Sequence, residues 1–168
     1  MTLGIGGSLL AASFNSGVYQ AVLVVHLVGA VVGFGGSALG TVMLRRAWAD
    51  GPDAAGAVRR SFEFASNRLT DVAAYLAGIA GVVAVLVDDR WDFRQGWVTT
   101  AFVLYFAWAA IAHGALRPTG AKLAEAMDAG PELADEAERL RRRAELWSML
   151  SNLVIVAAIA VMVTKPGL

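Results

Sequence analysis

The sequence predicts an all-α, polytopic membrane protein: a four-transmembrane-helix bundle with both termini outside and helical extensions in the cytoplasm. Three observations predict it. Of 168 residues, 57% are apolar and only 17% charged, a balance outside the range of soluble domains. The charges fall in blocks between long apolar runs, each of a length that crosses a hydrocarbon core of about 30 Å as a helix. The Lys and Arg residues then gather on alternate sides of those runs. The whole chain, 1–168, reads as a single domain of this kind.

The first span is expected at residues 16–44, ending at Arg45 and Arg46, the second at 70–87, ending at Asp88 and Asp89. The third is expected at 97–116, ending at Arg117 and Pro118, and the fourth at 146–164. Helices suit all four, because each backbone group then bonds within its own segment. The two long loops carry eleven of the Lys and Arg residues; the N-terminus, the short middle loop and the C-terminus share three. That asymmetry puts the long loops in the cytoplasm. Trp91 and Trp97 then mark the outer interface and Trp48 and Trp147 the inner one. The expected location is the inner (plasma) membrane, crossed several times.

The long loops read as helices. Pro118 sits at a helix start, Gly130 ends that helix and Pro131 opens another. In PELADEAERLRRRAELW, Asp135 precedes Arg139 and Glu138 precedes Arg142 by four residues, the spacing of ion pairs on a solvated helix that runs into the fourth span. PDAAGAVRRSFEFASNRL reads as an interfacial helix leading into the second.

Several classes are excluded. The chain has no cysteine, hence no disulfide, thiolate metal site or cysteine nucleophile. Its formal net charge is zero, which points away from a nucleic-acid partner. No hydrolase, kinase or dinucleotide motif occurs, and the glycines near residue 33 do not follow a strand. The opening MTLGIGGSLLAASFN has no Lys or Arg, so no cleavable leader is expected.

Within the first span, His26, Gly29, Gly33, Gly36 and Gly40 follow one another at intervals of three, four, three and four, which places them on one helix face. Such a face admits a second helix backbone, for which Ala74, Gly78 and Gly81 of the second span are available. It equally admits a flat ligand such as a porphyrin. His26 lies about three turns from the outer end of its span. An intramembrane imidazole is a candidate metal ligand through one nitrogen while the other bonds a carbonyl, or it simply joins two helices. His113, near the opposite end of the third span, differs from His26 in depth by roughly 15 Å, which argues against both ligating one iron. If His26 binds iron, Met162 on the fourth span is the available second ligand. Asn67, Arg68, Asp71, His113 and Asn152 are expected to form a polar cluster at the cytoplasmic end, with Asp71 pairing Arg68 or His113. That cluster reads either as capping and registry or as a path for a proton or ligand.

VLVVHLVGAVVGFGGSALGTVMLRRAW resembles the first helix of a superfamily of small bacterial membrane proteins. The superfamily includes the CopD-like copper-resistance domains, the HemJ-like protoporphyrinogen oxidases and a group of predicted integral membrane proteins described as a domain of unknown function. The shared pattern is an apolar run, then His26, then Gly35 and Gly36. The last group resembles this chain most, sharing also the form of VLYFAWAAIAHGALRPTGAKLAEAM. In the HemJ-like members the first-helix histidine is associated with heme, so the resemblance implies heme b at His26. Those members also carry a tryptophan before the glycine pair and an intramembrane lysine; here Gly33 and Phe34 stand at the former place and no expected span holds a lysine.

The expected function is therefore that of a small membrane protein, heme-binding or redox-linked through His26. The alternatives are a non-catalytic accessory subunit of a larger membrane complex, packed through its glycine face, and a small transporter. The lipid bilayer is the expected partner, with further copies of the chain or other membrane subunits.

Overall fold

The computed structural model describes residues 17–65 and 69–167. Among the described residues every regular element is helical: α1 (Gly17–Asp50), α2 (Pro52–Ala65), α3 (Asp71–Leu86), α4 (Gly96–Ile111), α5 (Arg117–Asp128) and α6 (Ala134–Thr164). Asn67 and Arg68, two members of the expected polar cluster, lie outside the described residues.

The apolar runs propagate as helix, and chain chemistry sets the breaks. Gly51 (φ 116°) and Gly130 (φ 83°) stand between α1 and α2 and before Pro131, in the left-handed region that glycine enters at no steric cost. The expected break at Pro118 does not occur. Residues Ala112–Leu116 instead widen into a π-turn, in which the Arg117 N–H reaches back to Ala112 O, and the helix continues to Asp128. Proline has no N–H and its ring crowds the carbonyl four residues before it. A π-turn just ahead absorbs that misfit without ending the helix. The first span likewise runs past Arg45 and Arg46 to Asp50.

Three helical runs, Gly17–Asp50, Gly96–Asp128 and Pro131–Thr164, are long and apolar enough to cross a membrane. At about 1.5 Å per residue each is roughly 50 Å long, well beyond a hydrocarbon core of about 30 Å. The remaining expected span is α3, apolar but only 16 residues long, about 24 Å. The surface of this bundle is apolar: Val31, Leu39, Phe106 and Val163 are each more than 60% exposed, as suits side chains facing lipid.

Two antiparallel pairs form the bundle, α1 with α3 and α4 with α6. The pairs meet where Tyr105 and Trp108 of α4 reach Ala74 of α3 and where Thr41 of α1 bonds Ser148 of α6 at 2.7 Å. Beyond the bundle at the Arg-rich end, α5 folds back on the first half of α6. Leu123, Ala126, Ala137 and Leu140 form a second small core there, with Trp48 and Met127 against it. Along the charged half of α6, Glu138 bonds Arg142 at 2.8 Å as the spacing predicts. Arg139 takes Glu136 at 2.6 Å, three residues away, where Asp135 at four was expected.

Candidate functional site

The site begins with the approach of two helices. A Cβ at Gly29 would stand 2.7 Å from Ala73 O, and one at Gly33 2.7 Å from Ala74 N. A Cβ at Gly36 would stand 3.1 Å from Thr70 Oγ1. The glycine face of α1 is therefore filled by α3, and these three glycines line no ligand space. Backbone-to-backbone contact of this kind is what small residues permit between membrane helices.

The same approach positions His26. Its Nδ1 lies 2.8 Å from Ala77 O. A carbonyl only accepts, so Nδ1 carries the proton and donates. In the neutral ring the lone pair is then on Nε2, which has no partner among the described residues. Gly81 makes room for the ring: a Cβ there would stand 3.3 Å from both Cε1 and Nδ1 of His26.

His26 lines a chamber of about 430 Å³ bounded by all four helices of the bundle, within the usual range for small-molecule sites. Its walls are almost wholly apolar. The floor is Trp108, edge-on to Phe34 at 4.8 Å and packed with Ile155 and Ala74. Tyr105 closes the side toward α3: Gly78 lets it cross, since a Cβ there would lie 2.6 Å from the phenol oxygen, and its hydroxyl donates to Ala74 O at 3.3 Å. Met162 of α6 lines the same chamber, so the structure brings His26 and Met162 to one space. Between α1 and α6 the border is Leu27, Ile159 and Val163, each more than half exposed. That wall faces whatever surrounds the bundle.

The roof is built from the loop between α3 and α4 and from the end of α6. Trp91 and Trp97 meet edge to face at 5.1 Å, and Lys165 Nζ lies 4.0 Å above the Trp91 ring. The loop is held by its own polar groups. Asp88, only 4% exposed, accepts from Arg90 Nε at 3.0 Å and Nη2 at 2.9 Å. Gln95 donates to Arg90 O at 2.9 Å. Asp92 accepts from the backbone N–H and the guanidinium of Arg94, and these bonds hold its carboxyl below the usual range. Trp97 and Trp108 line the chamber, and their indole N–H groups are buried with no partner among the described residues; buried donors seldom stay unpaired.

The remaining residues of the expected polar cluster occupy the other end of the bundle, and they pair differently. Asp71 forms an ion pair with Arg117, where His113 was one of the two partners expected; the other, Arg68, lies outside the described residues. The π-turn explains it, because it carries the helix past Pro118 and swings Arg117 beside the start of α3. His113 Nε2 instead bonds the Tyr75 hydroxyl at 2.8 Å, with the two rings stacked. His113 does not line the chamber. Asn152 Oδ1 and Ser151 Oγ are buried without partners among the described residues. Beyond the bundle, the guanidinium groups of Arg141 and Arg142 draw the Glu138 carboxyl down to about 2.

Sequence reasoning passed over Tyr105, Trp108 and Lys165 as parts of this site. Ala74, Gly78 and Gly81 on α3 had signalled only a second face of small residues.

Residues 20–166 match the model of a family described as "Predicted integral membrane protein (DUF2269)". No curated protein and no solved structure is significantly similar to the chain. The match covers most of the chain, which belongs to this family of integral membrane proteins of unknown function.

Proposed function

We propose that this member of the family crosses the bilayer four times, with α3 as a short span, and holds heme b in its chamber through His26. The Lys and Arg distribution supports an outward-facing roof and a cytoplasmic second core. The observation that carries the heme reading is the anchored imidazole: Ala77 O fixes the Nδ1 proton and leaves the Nε2 lone pair for a metal. A carbonyl behind a ligating histidine is the usual support of such a site.

The donor set fits the group. Among the described residues no three His, Asp or Glu side chains gather where a bare ion could sit. A single histidine serves an ion that brings its other donors with it, as a porphyrin iron does. Met162, on the same chamber, would be the second side chain to hold the group, since a His and a Met ligate the iron of cytochromes c. Apolar walls suit the porphyrin body. Bound there, heme supplies one-electron redox chemistry; the chain holds it, orients it and keeps water from it.

The accessory-subunit alternative loses the feature that suggested it, because Gly29 and Gly33 are covered by α3 within the chain. For the transporter alternative, the floor of Trp108, Phe34 and Ile155 closes the chamber toward the Arg-rich end.

The test is an absorption spectrum of the detergent-solubilised protein, oxidised and reduced, after hemin addition. The expected result is a Soret band with sharp reduced-state visible bands that His26→Ala abolishes and His113→Ala leaves intact. Met162→Leu is expected to change the band positions without abolishing binding. No band, or a band indifferent to His26→Ala, overturns the reading.

A further inference from the structure

The roof carries a charge with no ion-pair partner among the described residues. Lys165 lines the chamber. Its Nζ stands 4.0 Å from the Trp91 ring centre and 5.4 Å from that of Trp97, with no carboxylate partner among the described residues. Two of the three acids in the roof loop are engaged elsewhere: Asp88 by Arg90 and Asp92 by Arg94.

The backbone supports this placement. Lys165 is the one non-glycine residue at positive φ among the described residues, at φ 43°. Its N–H bonds Val161 O at 2.9 Å. A left-handed residue with a Cβ costs about 1–2 kcal/mol. The reversal ends α6 and turns the lysine back over the chamber instead of letting the chain run out along the helix axis. A cation therefore stands at the roof of an apolar chamber. It offers a charged donor to an anionic oxygen group, and charge-assisted hydrogen bonds of this kind are the strong ones.

We propose that Lys165 binds the carboxylate end of the chamber's ligand. In the heme reading, on which this inference rests, that end is the propionates. The ligand then stands with its apolar body against α1, α3, α4 and α6 and its acid groups at the roof. Lys165 is a binding residue for the carboxylate, separate from the His26 ligation.

The experiment compares two ligands on the full-length protein in nanodiscs, hemin and hemin dimethyl ester, whose propionates are uncharged. Binding is read from the Soret band and from quenching of tryptophan fluorescence. Wild type is expected to bind hemin about tenfold more tightly than the ester, in keeping with a partly desolvated charge-assisted bond. Lys165→Gln is expected to lose that factor for hemin, leave ester affinity unchanged and so abolish the discrimination. Lys165→Arg is expected to retain it. Equal wild-type affinity for the two ligands, with the His26-dependent band present, overturns the carboxylate role and leaves the heme reading standing. Equal loss for both ligands in Lys165→Gln also overturns it, since the lysine then serves only to close the roof. Absence of any hemin band in wild type overturns both readings together.

Discussion

Gly33→Ala is the most telling perturbation of this fold, because Gly35→Ala, two residues along the same helix, should do the opposite. At Gly33 the new methyl would lie 2.7 Å from Ala74 N, 2.8 Å from Ala74 Cα and 2.9 Å from Ala74 Cβ, where ordinary contact begins at 3.4 Å. The obstacle is largely backbone, so no rotamer change relieves it, and α1 and α3 must separate by about 0.7 Å at that level. Overpacking of this kind costs about 1–3 kcal/mol. The same separation stretches the 2.8 Å bond from His26 to Ala77 O two turns away, a further loss of about 1 kcal/mol. Against this, alanine gains about 0.5–1 kcal/mol over glycine in a helix. The net is a destabilisation of about 2 kcal/mol, or roughly 4–8 °C in melting temperature for a chain of this size. At Gly35 nothing lies within 4 Å, so only the alanine gain remains and the melting temperature should rise by about 1–4 °C. Circular dichroism melts of both variants in one detergent decide the matter. A Gly33→Ala protein that melts at or above wild type would refute the close α1–α3 packing, and with it the positioning of His26.

Gly78→Ala should destabilise the protein by about 1–3 kcal/mol in the presence of Tyr105 and be nearly neutral in a Tyr105→Ala background, since the phenol ring is what the new methyl meets; equal effects in both backgrounds would remove Tyr105 from the chamber wall. Asp71→Asn should lower stability by about 1 kcal/mol, and Asp71→Asn combined with Arg117→Gln should be no worse than either alone, because they break one ion pair; additive losses in thermal melts would separate the two residues. Glu138 has a folded-state value of about 2 against an ordinary 4.5. A lowered carboxylate adds stability that is fully present above the unfolded value and lost as pH falls through the folded one. The melting temperature should therefore drop between about pH 4.5 and 2, with Asp92 adding in the same direction. Glu138→Gln should shrink that drop, and an unchanged pH profile would count against the Arg141 and Arg142 pairing.

How much of this was legible in the chain depends on whether the deciding physics is local. The helical class, three of the expected spans and the apolar outward surface follow from side-chain transfer into lipid and from backbone bonds made within each segment. Those forces act residue by residue, so composition and periodicity carry them. The spacing of His26 with its glycines marked one face for close approach, and Met162 stood out as a possible neighbour of the histidine. What filled the face was not legible, because a glycine records only that something comes near; α3 was decided by packing between segments some fifty residues apart. The continuation through Pro118 needed a π-turn, which no local propensity announces, and it handed Asp71 to Arg117. The chamber itself exists only where four helices leave a gap. Its floor from Trp108, its wall from Tyr105 and its charged roof from Lys165 come from residues far apart in sequence, and only the tertiary structure sets them around one imidazole.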